Sequence, residues 1–550
     1  MIALKLNSKQ KEERNMSIPP PLQDFQTSAS ALGSNQSNSA VAIAKPGRDC
    51  YSQMPNAVVR YMTEFLHLRE MTILTQVSRF NAACLRTFPV RQLQIPPRLF
   101  QNIFSEIHKF PQLQGVRIQF RAINTPDGYQ IHPEDDVMIE TQTISPSIRT
   151  VTIYSSFDHV PMPFLDCLLA RTPQIKEFNF IDNIGSGSGN CYFPPQVLDK
   201  LSEEAGANLT HLETLNVSNS AVIPSGLLAL LQSSSNYVSL NLEGQLLHDG
   251  HLRAITQNQG LTHLNLQNTH KVGEEKLNFQ ILRELHNLTH LATSNEMSED
   301  ELIAIIESNP NLQELDISGL SDLQSDRVLF KIAEKAPLLR SLILSNASKI
   351  NKPAFKSLID GCPNLIELKM PNISMLRKED LSAEARAGDK ITEEALMQAL
   401  NTLKERGLIE RLDLSDTVLT DDILDIIVSI PSITDLSIRT SSIPMLTKAS
   451  LLKLQHLINL ETLNLDGYYA VTEEVLAAVA NHCSKLRNLH VNCWRCVDPT
   501  RRRMPTLQPI HTALQEGRLP DLKMVSCDDS GLNRDTITAF GDAFPKIEIR

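Results

Sequence analysis

The sequence predicts an α/β solenoid, in which short parallel strands line a concave side and helices cover the convex side. Three observations carry that prediction. Apolar residues recur at the first, fourth and sixth positions of a short motif; the motif returns at a steady interval; and the stretches between motifs carry apolar stripes at helical spacing that end at a proline.

Quoted from the first apolar anchor, the units begin LETLNVSNS (Leu212), LTHLNLQNT (Leu261), LTHLATSNE (Leu288), LQELDISGL (Leu312), LRSLILSNA (Leu339) and LIELKMPNI (Leu365). IERLDLSDT (Ile409), ITDLSIRTS (Ile433), LETLNLDGY (Leu460) and LRNLHVNCW (Leu486) follow. From Leu261 to Leu365 the anchors step by 27, 24, 27 and 26 residues. Motif and period are those of a leucine-rich repeat, and the predicted architecture is a leucine-rich-repeat horseshoe.

Each unit has its own physical logic. Alternation places Leu215 and Val217, or Leu264 and Leu266, on one face of a strand and turns the intervening residue outward. The stretches 299–310, 352–363, 421–431 and 472–483 repeat apolar residues every three or four positions, which gives a helix one stripe to lay on the strands. Pro310, Pro337, Pro363 and Pro431 stop helices just before the next strand, because proline cannot continue one. No unit can bury its apolar face alone, so stacking is obligatory.

Weaker units precede these at Leu113, Ile148 and Ile175. The steps from Ile175 to Leu212 and from Leu365 to Ile409, 37 and 44 residues, imply insertions; the second carries the charged stretch RKEDLSAEARAGDK, expected to be exposed. A third insertion is expected around 498–509, and LKMVSCDDS (Leu522) and KIEIR (Lys546) read as final, partly capping units.

Composition narrows the function classes. With 63 acidic against 52 basic residues and a net charge of −11, the chain has no broad basic face for nucleic acid or anionic membrane. The run Arg501-Arg502-Arg503 reads as a solvated loop. No signal peptide or membrane-length apolar run is evident, and the nine cysteines show no disulfide-framework spacing, which fits a reducing cytoplasm. Cys493 and Cys496 form a C-x-x-C with no second pair at zinc spacing. P-loop, nucleophile-elbow and H-E-x-x-H motifs are absent, so neither an enzyme nor a cofactor is expected.

Residues 1–50, rich in Ser, Asn, Gln and Pro, have too little apolar surface to offset the entropy of ordering and are expected to be a disordered tail. Residues 51–92 read as a small all-helical module and 93–550 as the repeat domain. In the module, Val58, Met62 and Leu66 step by four with Phe65 beside them, a helical stripe beginning after Pro55; Met71, Leu74 and Ser78 open a second helix. A bundle this small cannot bury its own apolar residues. They must meet either the first repeat, as a plain cap, or another protein.

These residues resemble an F-box: Met54-Pro55, then Val58, Val59, Met62, Phe65 and Leu66, then Glu70-Met71, Leu74, Val77-Ser78-Arg79 and Phe80. The resemblance covers about thirty residues. It departs from the family at Ala57, where Glu is usual, and at Phe80, an aromatic one residue earlier than the usual Trp. The cysteines in DGCPNLIELKM and NHCSKLRNLHVNCW are also similar to the cysteine-containing repeats that often follow an F-box. The resemblance implies a substrate adaptor of an SCF-type cullin–RING ubiquitin ligase, within the ubiquitin-like conjugation pathway. A Skp-family adaptor would be bound through Met54, Pro55, Val58, Val59, Met62, Leu66, Met71, Leu74, Val77 and Phe80. Such a subunit does no covalent chemistry; it holds a target near the ubiquitin carrier. The tail and the divergent module would also suit a secreted bacterial effector acting in a host cytosol. The competing expectation is a repeat-only interaction scaffold or inhibitor, its helices a cap.

A protein target is expected on the concave strand face. Its candidate contacts are the outward residues His263, Asn265, His290, Glu314, Asp316, Glu367, Lys369, Arg411, Asp413, Asp435, Asn464 and His490. His263, His290 and Glu314 fall on successive strands about 4.8 Å apart, a grouping worth testing as a zinc site, but with no fourth ligand evident it reads as a solvated patch.

Overall fold

In a computed structural model of the protein, the described residues are four strands between 92 and 131, then 149–155, 174–182, 211–218 and, with interruptions, 224–549. The chain divides into two units, Met1–Met54 and Pro55–Arg550, and every described residue lies in the second. The predicted tail and the F-box-like segment lie outside the described residues, as do Cys493, Cys496 and the charged insertion 377–390.

The fold is the α/β leucine-rich-repeat solenoid that the sequence predicts. Among the described residues, seventeen strands form one sheet. Every pairing along it is parallel and in chain order, from Gln92–Ile95 beside Gly115–Gln119 to Met524–Ser526 beside Glu548–Ile549. The register never slips between Glu177 and Ser526: each second leucine lies beside the next, as Leu264 beside Leu291, Leu315 and Leu342. That constancy follows from the motif, because a one-residue slip would turn the leucines to solvent. The sheet starts earlier than the units at Leu113 suggest, since Gln92–Ile95 already pairs with Gly115–Gln119. An antiparallel hairpin, Ala122–Thr125 with Gly128–Ile131, is an unforeseen insertion.

Helices form where the apolar stripes predict them: Glu299–Ser308, Lys352–Gly361, Asp421–Val428 and Glu473–His482. Their starts are capped by Ser298, Asn351, Thr420 and Thr472, whose side chains accept an N–H from the first turn that has no partner within the helix. Carboxylates link neighbouring units, since Asp326 accepts from Asn351 N at 2.9 Å, and Asp421 accepts from both N and Oγ1 of Thr447, at 3.0 and 2.8 Å. Between Asn265 and His290 the connection tightens to a 3₁₀ turn, Phe279–Glu284.

Strand leucines and helix stripes bury one continuous aliphatic core. Each fully buried leucine contributes about 2 kcal/mol through removal of apolar surface from water. One unit breaks the rule: Thr293 stands at the inward sixth position, fully buried, and its hydroxyl has no hydrogen-bond partner among the described residues.

Two further positions explain residues that the leucine motif leaves open. Three residues before the anchor, Asn309 donates to Leu285 O and Ile305 O, both at 2.9 Å, and accepts from Leu288 N at 2.8 Å. Asn258 bridges backbone in the same way. Cys362 and Cys483 occupy that position in other units, with Sγ 3.8 and 3.9 Å from Ala336 O and Leu454 O. Burial pushes their thiols up to about 12 and about 11, which marks them as core residues rather than nucleophiles. At the eighth position, past the strand, Gly244, Asn268, Asn372, Asp416 and Gly467 take φ between 53° and 88°. Only Gly, Asn and Asp enter that region at low cost.

Candidate functional site on the outward strand face

The third and fifth positions of each motif, counted from its anchor, point away from the helices and form two rows across the sheet. One row runs His263, His290, Glu314, Ser341, Glu367, Arg411, Asp435, Thr462, Asn488. The other runs Asn265, Ala292, Asp316, Ile343, Lys369, Asp413, Ser437, Asn464, His490. All twelve residues expected to meet a target therefore lie on one face in these two rows.

The Asn and Asp residues of the fifth position have a local task. Asn265 Oδ1 accepts Gln267 N at 2.9 Å, Asp316 Oδ1 accepts Ser318 N at 2.8 Å, Asp413 Oδ1 accepts Ser415 N at 2.8 Å and Asn464 Oδ1 accepts Asp466 N at 3.0 Å. Asn216 and Asn241 do the same. Each bond satisfies a backbone donor as the chain leaves the strand, the Asx geometry for which these side chains are suited. It also fixes the side chain, so an Asn here turns its Nδ2 donor outward and an Asp turns its second oxygen outward.

In the other row the His263 and His290 rings stack, with centroids 3.8 Å apart and planes 15° from parallel. Thr262 and Thr289 hydroxyls hold their Nδ1 atoms at 2.7 and 2.8 Å, and His290 Nε2 lies 3.3 Å from Glu314 Oε1. Burial and the neighbouring His290 push His263 below the ordinary histidine range, while Glu314 opposes the shift. Face-to-face rings do not converge their nitrogens on one point, and among the described residues no cluster of three or more His, Cys, Asp or Glu could hold a metal ion.

Farther along, Glu367 faces outward in register and is nonetheless buried, 8 % exposed. Ser341 Oγ donates to it at 2.7 Å, Arg411 Nη2 at 3.2 Å, and Lys369 Nζ lies 3.0 Å away. Burial alone would raise its pKa; the hydrogen bonds from Arg411, Ser341 and Lys369 outweigh that and lower it to about 2. Lys369 and Arg411 are the exposed members of this cluster, and Glu367 lies sunk between them.

Beyond this cluster the face opens into a cleft of ≈ 580 Å³ lined by Pro371, Asn372, Asp413, Ser415, Asp416, Ser437, Arg439, Ser441 and Asn464. Asp416 accepts from Ser441 N at 2.6 Å and Arg439 Nη2 at 3.1 Å. Burial works against its charged form, but those bonds from Ser441 and Arg439 hold its carboxyl below the usual range. The cleft joins two expected residues, Asp413 and Asn464, to Ser415, Asp416, Arg439 and Ser441, which belong to the turns beyond the motif. For Ser415, Asp416 and Arg439 the signal was the recurrent polar seventh and eighth positions; Ser441 lies one place beyond them. The residues expected to bind an adaptor, Met54 to Phe80, lie outside the described residues.

No family profile matches the chain. Among solved structures it is similar to a leucine-rich-repeat protein of Leptospira interrogans, at 14 % identity and TM-score 0.35, over 84 % of this chain and 99 % of that one. An internalin of Listeria monocytogenes is similar at 15 % identity and TM-score 0.34, over 62 % and 86 % of the two chains. A chain of the yeast Rad7–Elc1 complex is similar at 14 % identity and TM-score 0.40, over 83 % and 88 %.

Proposed function

We propose that the protein is a target-recognition subunit of an SCF-type cullin–RING ubiquitin ligase, working in the cytoplasm of a cell or host. In this reading residues 51–92 engage a Skp-family adaptor and the outward strand face of residues 93–550 holds a protein target. The observation that carries the reading of the repeats is the strand face itself: two mainly polar rows in unbroken register, backed by the core, with a cleft among them. Rigid, preorganised polar surface binds protein with little ordering cost. The ligase connection comes from the F-box-like residues Pro55, Val58, Met62 and Leu66. Among the described residues no helix is long and apolar enough to cross a membrane.

A second reading, a repeat-only interaction scaffold, is favoured by one feature. Among the described residues the first strand of the sheet is Gln92–Ile95, so the F-box-like stretch stands next in the sequence to the end of the core that needs a cover. Binding of the full-length protein to a purified Skp-family adaptor separates the two. The parent is expected to bind and a folded Pro55→Ala, Val58→Ala, Leu66→Ala variant is expected to lose binding. A folded parent that does not bind leaves the scaffold.

A further inference from the structure

The cleft at the ends of strands Arg411–Asp413, Asp435–Ser437 and Thr462–Asn464 has one unspent charge. The cations around it are committed: Arg439 to Asp416, Lys369 and Arg411 to Glu367. Ser415 and Ser437 hydroxyls bond each other at 2.7 Å. Asp416 gives both oxygens to Ser441 N and Arg439. Asp435, which accepts from Thr434 at 2.7 Å, does not line the cleft. Asp413 spends only Oδ1, on Ser415 N; its Oδ2 has no partner among the described residues. The lining residues Asp413, Asp416 and Arg439 leave the cleft at a net charge of −1.

We propose that this cleft receives a cationic side chain, arginine or lysine, from the partner protein, seated against Asp413 Oδ2. The inference rests on the reading that the strand face holds a protein. Pro371 gives the wall an apolar surface along which the methylene stem of such a side chain packs while its head reaches the carboxylate. Asn464, its oxygen tied to Asp466 N, turns an amide donor into the cleft that suits the backbone carbonyl of the incoming segment. A carboxylate or phosphate guest would meet Asp413 with no free cation among the described residues lining the cleft to offset it.

The test uses the full chain and two small probes, N-acetyl-arginine N-methylamide and N-acetyl-glutamate N-methylamide, titrated by saturation-transfer NMR. The arginine probe is expected to bind and the glutamate probe to bind more weakly. Asp413→Asn retains the oxygen that accepts Ser415 N and removes the charge, so the folded variant should bind the arginine probe about two- to fivefold more weakly. Arg439→Gln makes the cleft more negative and should strengthen it. The proposal is overturned if the arginine probe does not bind the parent, if Asp413→Asn leaves it unchanged, or if the glutamate probe binds better and is lost in Arg439→Gln. The ligase reading is tested through substitutions at Pro55, Val58 and Leu66 and this one through Asp413 and Arg439, so the two fail separately.

Discussion

Replacing Glu367 by glutamine removes one charge from a buried cluster while keeping the shape of the side chain. The lowering of its pKa from 4.5 to about 2 sets a ceiling of about 3 kcal/mol on the stability its ionised form contributes. The folded value lies below the unfolded one. The contribution is therefore complete above the unfolded pKa and is lost as the pH falls through the folded one, across roughly pH 5 to 2. The variant leaves Arg411 and Lys369 facing an amide and should lose about 2–3 kcal/mol at pH 7. At pH 3 the difference from the parent should shrink to less than half. Urea denaturation followed by circular dichroism, with both proteins at pH 7, 5 and 3, measures it. A loss below about 0.5 kcal/mol at pH 7 would refute the reasoning, as would a loss that does not shrink by pH 3.

Three other outcomes are expected. Gly467→Ala puts a methyl 1.8 Å from Thr440 O at a φ of 88°, and should cost more than about 1 kcal/mol in urea denaturation; an unchanged midpoint would contradict that close approach. Asn309→Ala strands three backbone groups and should cost about 3 kcal/mol, while Asn309→Cys, the residue other units use there, should cost less; equal losses would deny the position its bridging role. Cys362 and Cys483 should react with iodoacetamide at pH 8 at least about 100-fold more slowly than after unfolding in urea, read by peptide mapping, because few of their thiols are ionised and both are buried.

The repeat architecture was legible because its signal is redundant: the same apolar spacing, misread in one unit, is corrected by the next. Where a single unit stood alone, the reading thinned. Val90, Leu93 and Ile95 carry the motif with β-branched residues at its first and sixth positions, and the strand they flag, Gln92–Ile95, pairs into the sheet although it lies before the first expected unit at Leu113. Tyr237 serves as an anchor without being leucine, buried with its hydroxyl donated to Leu230 O at 3.2 Å. The outward rows were legible as positions, since alternation alone assigns them. Their individual duties were not. Nothing in the letter Glu tells that Glu367 is sunk beneath Lys369 and Arg411, because that depends on which residues the adjacent strands place beside it. The cleft stayed hidden for a related reason: Asp416 and Arg439 meet only once two turns, 23 residues apart in the chain, are stacked.

The side-chain oxygen that closes the turn after each strand has a consequence for how such a surface changes over time. Asn and Asp both serve that bond, so exchanging one for the other keeps it while converting an outward hydrogen-bond donor into a negatively charged acceptor. Asn265, Asp413 and Asn464 behave as interchangeable type in a fixed frame, whereas the second oxygen of Asp316 is already held by Gln267 Nε2 at 2.9 Å. The charge pattern of the face can therefore be respelled one letter at a time without giving up the bond that closes each turn.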